Sequence, residues 1–425
     1  MFILFYFILL STHCFIGLFF YKKNLFNTIN FFSIHYVLLS VFAVSGTLLV
    51  YFNIFEGEYF FSVIEGKTDV ILISMNLIVW SSVGLFLPII ILNNIFKKNL
   101  IINSYIQYNR KYPSSSFFIK IFTIIYLFCS IFYVIESHPS VPYMLLTNHD
   151  LMSVAARRYD FVENYMGNGL IRSVSINGSY LMLFFIGYQY KLLKIKNLFL
   201  IAYALFILLI MGEKAPVIFA VFFFFSGFLM CSKKIIKIKL ILITVLIMYG
   251  LYYFQFSDFD DVGYNFLSRI FIAQNIAVFL SVDQYLLGRE LIGFGSFRSG
   301  FLLFLFGIDN PVPIASYSFV DIYYPGMRGL GTINVNGIYI HEALSNFGML
   351  VAILSPVFLG IMYYVILSFL KRISYTFVSL VIYIYLSLRI TSLLTSFNQS
   401  IFNSETILTI SLLVLVHICT KIKGH

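Results

Sequence analysis

Charged residues are scarce in this chain of 425 residues, of which only 11% are Asp, Glu, Lys or Arg and 60% are hydrophobic. A soluble globular domain carries about 25% charged residues, so this composition excludes a soluble enzyme. Disorder is excluded too, because 50 Phe and 31 Tyr supply more apolar surface than a disordered chain carries. The class that remains is an all-α, polytopic transmembrane protein.

The sequence also has few cysteines and no nucleotide-binding motif. Its four cysteines, Cys14, Cys129, Cys231 and Cys419, lie far apart in or beside apolar segments and show neither zinc-site spacing nor a disulfide framework. We interpret them as buried apolar thiols. A P-loop is absent from the sequence, so chemistry driven by a bound nucleotide is not indicated.

Apolar segments long enough to cross a membrane dominate the chain. The stretch Glu213–Pro216 interrupts one apolar run and predicts a tight hairpin, because proline disfavours a helical residue before it. Residues 1–20 lack a basic leading region and a cleavage site, which favours a retained first span over a signal peptide. The hydropathy predicts eleven spans, near 1–20, 31–52, 70–95, 116–135, 173–190, 198–212, 216–232, 240–256, 347–370, 374–395 and 405–420.

Basic residues are distributed unevenly over the connections between these spans. Strict alternation of eleven spans places 18 of the 28 basic residues, and none of the 18 acidic residues, in the connections on one side. Basic connections face the cytoplasm, so we expect the N-terminus outside and the C-terminus inside. The net charge of +10 therefore reflects membrane topology and not affinity for nucleic acid. The long connections 136–172 and 257–346 lie on the outer side.

Arginine is concentrated on the outer side, whereas most lysines are inside. A guanidinium group binds phosphate at two points and stays charged when partly desolvated, so these arginines predict an anionic lipid-linked substrate such as a polyprenyl diphosphate. The alternative is that they pair with the acidic residues of the same side. Eight of the ten arginines belong to this set: Arg157, Arg158, Arg172, Arg269, Arg289, Arg298, Arg328 and Arg389.

Arg389 differs from the others because it falls inside the predicted span 374–395. An ionisable residue at membrane depth is costly and indicates function, but a long side chain that snorkels to the surface is an equal alternative. Lys214 is one of two outer lysines, and pairing with Glu213 at the surface is the alternative to a functional role for it.

The connection 257–346 is amphipathic and not uniformly polar. Residues 266–287 are apolar, with Arg269, Gln274 and Asp283 spaced along them. This pattern predicts helices that lie on the membrane or dip into it. Such a connection suits a cap over a lipid-facing cavity.

The same connection ends in the polar pattern His341-Glu342-x-x-x-Asn346. Glu342 and Asn346 are four residues apart and share a helix face, whereas His341 and Glu342 point about 100° apart. The Glu342 carboxylate, at the membrane boundary, is a candidate base that takes a proton from a sugar hydroxyl. The alternative for Glu342 is a structural acid, favoured by the dipole at the start of a helix.

The two long outer connections each contain an arginine followed eleven positions later by a glycine, Arg158…Gly169 and Arg289…Gly300. Together with the eleven spans, one large late outer loop and a Glu-x-x-x-Asn-Phe-Gly entry into a span, these pairs resemble the O-antigen polymerase (Wzy) family of bacterial oligosaccharide repeat-unit polymerases. Some members of that family carry Arg-x10-Gly in each of two periplasmic loops.

The resemblance implies a GT-C-like glycosyltransferase of the bacterial inner membrane, with both long connections in the periplasm. It would move a growing glycan from undecaprenyl diphosphate to the terminal sugar of a new lipid-linked repeat unit, without a metal or another cofactor. Arg289 would stabilise the departing diphosphate, and Glu342 or His341 would be the base. A chain-length regulator protein is a further expected partner. The diphosphates would be bound by Arg157, Arg158, Arg298 and Arg328, with Arg269, Lys214, Asn346 and Arg389 as further candidates.

Two other functions compete with polymerisation. A flippase for the same lipid-linked unit is expected to show internal repeats and an even span layout, and the sequence shows neither. O-antigen ligases carry a histidine followed by a small polar residue near the end of the same loop, whereas Glu342 follows His341 here. Both comparisons favour the polymerase.

Overall fold

The structure of the chain is a computed structural model, and the residues that it describes are all helical or irregular, without a strand among them. They are residues 2–23, 25, 31–54, 61–96, 115–147, 157, 167–189, 195–210, 212, 215–231, 267–268, 271, 274–296, 307–308, 315–325, 335, 337–372, 377–389 and 404–422.

The helices follow the apolar segments of the sequence, because a backbone in an apolar environment must satisfy its own hydrogen bonds. A π-helical turn, Ser40–Val44, joins α2 to α3, and a 3₁₀ turn covers Gly293–Ser296. The α-helices are α1 Phe2–Lys22, α2 Phe31–Leu39, α3 Ser45–Tyr51, α4 Thr68–Ile95, α5 Ser115–Glu136, α6 Val141–Thr147, α7 Gly169–Gln189, α8 Ile195–Leu209, α9 Ala215–Cys231, α10 Ile276–Leu286, α11 Ala315–Tyr323, α12 Ile340–Phe347, α13 Met349–Arg372, α14 Phe377–Arg389 and α15 Ser404–Ile422.

Ten of the eleven predicted spans coincide with helices, and the remaining one, 240–256, lies outside the described residues. The prediction of an all-α chain with several membrane-length helices is thereby confirmed. The number of spans and the GT-C-like arrangement stay predictions. Six described helical segments are long and apolar enough to cross a membrane: Phe2–Lys22, Phe32–Tyr51, Thr68–Ile95, Ser116–Glu136, Gly169–Gln189 and Met349–Ser368.

Helix α4 is the centre of one group of helices that includes α1, α3 and α13. Asn76 on α4 donates a hydrogen bond to the carbonyl of Phe2 (3.2 Å), and Ser82, further along α4, contacts His13 (3.0 Å). The contact that lies further along α4 also lies further along α1, so α1 and α4 run in the same direction.

Helix α13 runs in the same direction as α4. Trp80 donates its indole N–H to the carbonyl of Ile353 (2.8 Å), and further along both helices the rings of Phe96 and Tyr364 stack 6.2 Å apart. Under strict alternation α1, α4 and α13 are the first, third and ninth spans, which must all run the same way. The observed directions are therefore those that the eleven-span topology requires.

Helix α7 is the centre of a second group that includes α5, α8, α9 and α15. Phe377 at the start of α14 contacts Tyr188 at the end of α7 (5.1 Å between ring centroids), and Tyr385 bonds to Asn177 (3.0 Å). Helix α14 is therefore antiparallel to α7, as alternation of the fifth and tenth spans requires.

Glycine allows the closest approach of two helices in this second group. A Cβ atom on Gly187 of α7 would overlap with the Phe224 carbonyl of α9, and a Cβ atom on Gly227 of α9 would overlap with the Phe184 carbonyl of α7. Small residues let helix backbones approach in an apolar environment, where packing replaces the hydrophobic effect as the driving force.

Two expectations need correction. Helix α10 does not lie on the membrane surface, because the nine residues from Ile276 to Gln284 are all buried inside the protein. It packs against α4 and α12. That it dips into the membrane stays a prediction. The prediction of buried thiols is wrong for Cys14, which lies on the exposed face of α1, and Cys129 is only half-buried.

Candidate functional site

Three short helices, α10, α11 and α12, pack against one another, with α10 and α12 also in contact with α4. Gly337, just before α12, lies against Ala277 at the start of α10. Gly348 ends α12 in the left-handed region (φ +82°) and lies near Tyr285 at the end of α10. The two helices therefore run side by side in one direction.

His341 lies on α12 with only 1% of its surface exposed. Its Nδ1 atom is 2.8 Å from the carbonyl of Ile338, and because a carbonyl only accepts, Nδ1 must donate. In the neutral ring Nε2 then carries the lone pair, and no described residue hydrogen-bonds to it. Burial lowers the pKa of His341, while the nearby Glu342 charge and the Ile338 hydrogen bond raise it by less. The ring is held as a neutral base with Nε2 as its basic atom.

A second buried histidine, His13 on α1, shows the opposite situation. The hydroxyl of Ser40 donates to the carbonyl of Tyr36 (2.6 Å), so it accepts from Nε2 of His13 (3.0 Å). Nδ1 then accepts from the hydroxyl of Ser82 (3.0 Å). Both ring nitrogens of His13 are satisfied, which is the arrangement of a structural histidine.

Glu342 and Asn346 are buried on the same helix, each with 3% of its surface exposed. Glu342 lies in the first turn of α12, where the helix dipole favours a carboxylate, and its charge also acts on His341. In the described part of the chain, Oδ1 of Asn346 and Oγ of Ser345 have no hydrogen-bond partner. Buried polar atoms are normally paired, so α12 holds unused hydrogen-bonding capacity and a neutral imidazole inside the protein.

A hydrogen-bond network lies on α10 and α11 beside this helix. Asp283, only 4% exposed, accepts the ammonium of Lys67 (2.8 Å) and the phenol of Tyr323 on the same oxygen, Oδ2. Gln284 donates to the Tyr323 oxygen in turn. Burial raises the pKa of Tyr323, and its hydrogen bond to Asp283 raises it further. The network ties the segment before α4 to two helices that follow it by more than 200 residues.

Arg289 lies just beyond α10, next to this network. Its backbone N–H donates to the carbonyl of Gln284 (3.2 Å), and its side chain is exposed. Its positive charge acts on Tyr323, where it opposes the effect of burial on the pKa of that phenol. The structure thus brings one predicted arginine to the polar network, and its guanidinium is accessible to a ligand.

The other predicted arginines divide into described and undescribed residues. Arg157 donates its Nε–H to the carbonyl of Pro139 (3.2 Å) and is half-buried. Five candidates, Arg158, Arg269, Arg298, Arg328 and Lys214, lie outside the described residues.

Arg389 is neither an unpaired charge in an apolar segment nor a side chain that extends fully into solvent. It ends α14, and its Nη2 lies 3.1 Å from Oε2 of Glu405 in the first turn of α15. The two side chains are 21% and 28% exposed. Thr409 donates its hydroxyl to the Glu405 carbonyl (2.8 Å), and Ser173 of α7 approaches the same carbonyl at 3.4 Å. We call Arg389, Glu405 and these hydroxyls the α14–α15 ion-pair site.

A cavity of about 490 Å³ lies between the start of α1, the end of α3 and the start of α4. Its lining is mostly apolar, with polar groups from Asn53, Glu65 and Thr68. Two of the lining residues, Gly66 and Thr68, flank Lys67 of the Asp283 network. Cavities of a few hundred Å³ with apolar walls and a few polar groups suit small-molecule ligands.

Sequence reasoning missed the Lys67–Asp283 pair and the satisfied His13. The only local sign of the pair was a carboxylate in the apolar stretch 266–287, because Lys67 is 216 residues away. Among the described residues no group of three His, Cys, Asp or Glu side chains is placed to hold a metal ion.

Comparisons with protein-family models, with curated proteins and with solved structures found no significant match to this chain.

Proposed function

We propose that this protein is a polysaccharide polymerase of the bacterial inner membrane. In this proposal it transfers a growing glycan from undecaprenyl diphosphate to the terminal sugar of a new lipid-linked repeat unit at the periplasmic face. Its N-terminus is periplasmic, its C-terminus is cytoplasmic, and a chain-length regulator protein is its partner. The architecture and the motifs named above are the basis for this choice of substrate.

One observation supports the proposal more than any other. The neutral, half-satisfied His341 and the buried Glu342 lie on a helix that runs beside the Asp283–Tyr323 network, and the exposed Arg289 lies at the end of that network. Glycosyl transfer from a diphosphate needs both a base for the acceptor hydroxyl and a cation for the leaving group.

The residues divide the reaction as follows. The acceptor hydroxyl gives its proton to Nε2 of His341, and its oxygen forms the new bond to the anomeric carbon of the donor. The bond from that carbon to the diphosphate oxygen breaks, and the electron pair leaves with undecaprenyl diphosphate. Arg289 stabilises the charge on the departing diphosphate, and Glu342 stabilises the imidazolium that forms beside it. Asn346 supplies an acceptor oxygen for a second sugar hydroxyl.

The surroundings of the two side chains favour His341 over Glu342 as the base. Nδ1 of His341 is engaged by Ile338 and Nε2 is left as an acceptor, so the ring is ready to take a proton. The carboxylate of Glu342 lies at the start of α12, where it interacts favourably with the helix dipole in its charged form.

Deletion of the gene in the source bacterium, followed by separation of its lipopolysaccharide on a gel, tests the proposal. Loss of a polymerase leaves core lipid with a single repeat unit, and the ladder of longer chains disappears. Loss of a ligase or a flippase leaves core lipid with no repeat unit at all. An unchanged ladder, or complete loss of attached units, would refute the polymerase. Restoring the gene on a plasmid is the control.

A further inference from the structure

The α14–α15 ion-pair site lies in a different helix group from the α10–α12 site. Arg389 lies on α14, which packs with α2, α9 and α15, and Glu405 lies on α15, which packs with α7, whereas α10 and α12 pack with α4. Four residues separate α13 from α14 in the sequence, so α14 runs back from the end at which α13 finishes. Alternation then puts Arg389 at the same membrane face as the start of α13 and therefore as α12.

The ion pair is placed where a charge is costly. Residues Leu380–Leu388, immediately before Arg389, are apolar or aromatic apart from one serine and almost all buried. Fully buried polar groups continue from the pair into the bundle, because Asn177 accepts from Tyr385 (3.0 Å) and donates to the carbonyl of Ser173 (3.1 Å). A partly buried ion pair is weak evidence for stability, which favours a functional reason for this one.

The pair is also reachable. About a fifth of the Arg389 side chain and a quarter of the Glu405 side chain remain exposed, so a ligand can approach the guanidinium without unfolding the helices. Phosphate matches the guanidinium fork better than a carboxylate in charge and equals it in geometry. A phosphate on a lipid could therefore exchange with the Glu405 carboxylate at this position.

We propose that Arg389 binds the phosphate of a second lipid-linked substrate molecule, and that Glu405 is the counter-ion that occupies Arg389 when the substrate is absent. This inference rests on the proposed function, because a polymerase must hold two lipid diphosphates, a donor and an acceptor, at the same face. Arg289 serves one of them and Arg389 serves the other. The source of the phosphate can be a lipid diphosphate or an anionic phospholipid, and the experiment separates the two.

The test is native mass spectrometry of the purified full chain in nanodiscs of zwitterionic lipid, titrated with undecaprenyl diphosphate. The wild-type chain is expected to bind two molecules, and Arg389→Gln and Arg289→Gln one each. Glu405→Gln removes the competing carboxylate and is expected to tighten the Arg389-dependent binding by on the order of tenfold. A merely structural ion pair predicts the opposite, since loss of either partner would loosen the site.

Variants that keep the fold make each outcome interpretable. Arg389→Lys retains the charge without the fork and is expected to bind at least several-fold more weakly than wild type. Arg389→Gln/Glu405→Gln removes both charges and retains hydrogen-bonding groups. The fluorescence of Trp80, which lies on α4 away from the site, reports whether each variant is folded.

Three results would overturn the inference. If the Arg389→Gln variant still binds two molecules, the second site is elsewhere, and the polymerase proposal stands without a role for Arg389. Equal competition by phosphatidylglycerol at the Arg389-dependent position shows a surface phospholipid and not a substrate. A wild-type chain that binds no undecaprenyl diphosphate removes this inference together with the proposed function.

Discussion

Replacement of Lys67 by methionine tests whether the Asp283 network fixes the helices of the candidate site onto α4. The carboxylate of Asp283 is 5% exposed and the ammonium of Lys67 is 41% exposed, with 2.8 Å between Nζ and Oδ2. A fully exposed pair contributes about 0–1 kcal/mol, whereas breaking a buried pair costs about 3–5 kcal/mol. Since one partner is buried and the other half-exposed, we expect Lys67→Met to lower the free energy of unfolding by about 1–2 kcal/mol.

A double-mutant cycle isolates the pair from the rest of the network. Asp283→Asn retains an acceptor for Tyr323 but loses the charge, and the Lys67→Met/Asp283→Asn variant removes both charges. We expect a coupling energy of about 1 kcal/mol between the two positions. Glu65→Gln is the matched control, because Glu65 is an exposed acid two residues from Lys67 and the substitution is expected to change stability by less than about 0.5 kcal/mol.

Trp80 makes this measurement possible without a label. It is the single tryptophan of the chain, and its indole N–H donates to the carbonyl of Ile353, so its fluorescence reports the contact between α4 and α13. The protein is kept in mild detergent and unfolded by titration with a denaturing detergent, and the fluorescence of Trp80 is recorded at each step. A coupling energy near zero, with Lys67→Met as stable as Glu65→Gln, would refute the view that this ion pair holds α10 against the segment before α4.

Three further predictions concern catalysis and packing. His341→Gln is expected to lower the rate of polymerisation by about 10²–10⁴-fold. Because burial lowers the pKa of His341, the wild-type rate should persist below pH 6.5. Loss of activity on acidification from pH 7 to 6.5 would contradict a buried neutral base. Arg289→Gln is expected to lower the rate by about 10²–10³-fold, with partial rescue in Arg289→Lys, and full activity of Arg289→Gln would exclude a role at the leaving group. Gly227→Ala is expected to lower the free energy of unfolding by about 1–3 kcal/mol, because its Cβ atom would overlap with the Phe184 carbonyl. Gly169→Ala, whose Cβ atom would have no atom within 4 Å, should leave the stability unchanged. Equal stability of the two variants would contradict the close α7–α9 contact.

The helices were predictable from the sequence because hydropathy reports the segments that must satisfy their own backbone hydrogen bonds. Ten predicted spans coincide with helices, and the break between α8, which ends at Leu209, and α9, which begins at Ala215, falls at the predicted interruption. The predicted turn at Glu213 and Lys214 lies outside the described residues. The position of Glu342 and Asn346 on one buried helix face also followed from their spacing alone.

The partners of polar residues were not predictable, because they depend on contacts between distant segments. Asp283 and Lys67 are 216 residues apart, and Ser173 and Glu405 are 232 apart. Helix α10 shows the same limit. In the sequence, a run of apolar residues with one carboxylate predicts a helix at a surface. In the structure α10 is buried among other helices, and its carboxylate is paired with Lys67 and Tyr323. The tautomer of His341 likewise depends on the Ile338 carbonyl, which no pattern reveals.

The most direct test of the central claim is polymerisation by the purified protein in liposomes. The substrate is a single repeat unit linked to undecaprenyl diphosphate, and the products are separated by mass. We expect a series of products that differ by one repeat unit, with undecaprenyl diphosphate released at each step, and no series with His341→Gln. A wild-type protein that is folded by Trp80 fluorescence yet leaves the single unit unchanged would contradict the account.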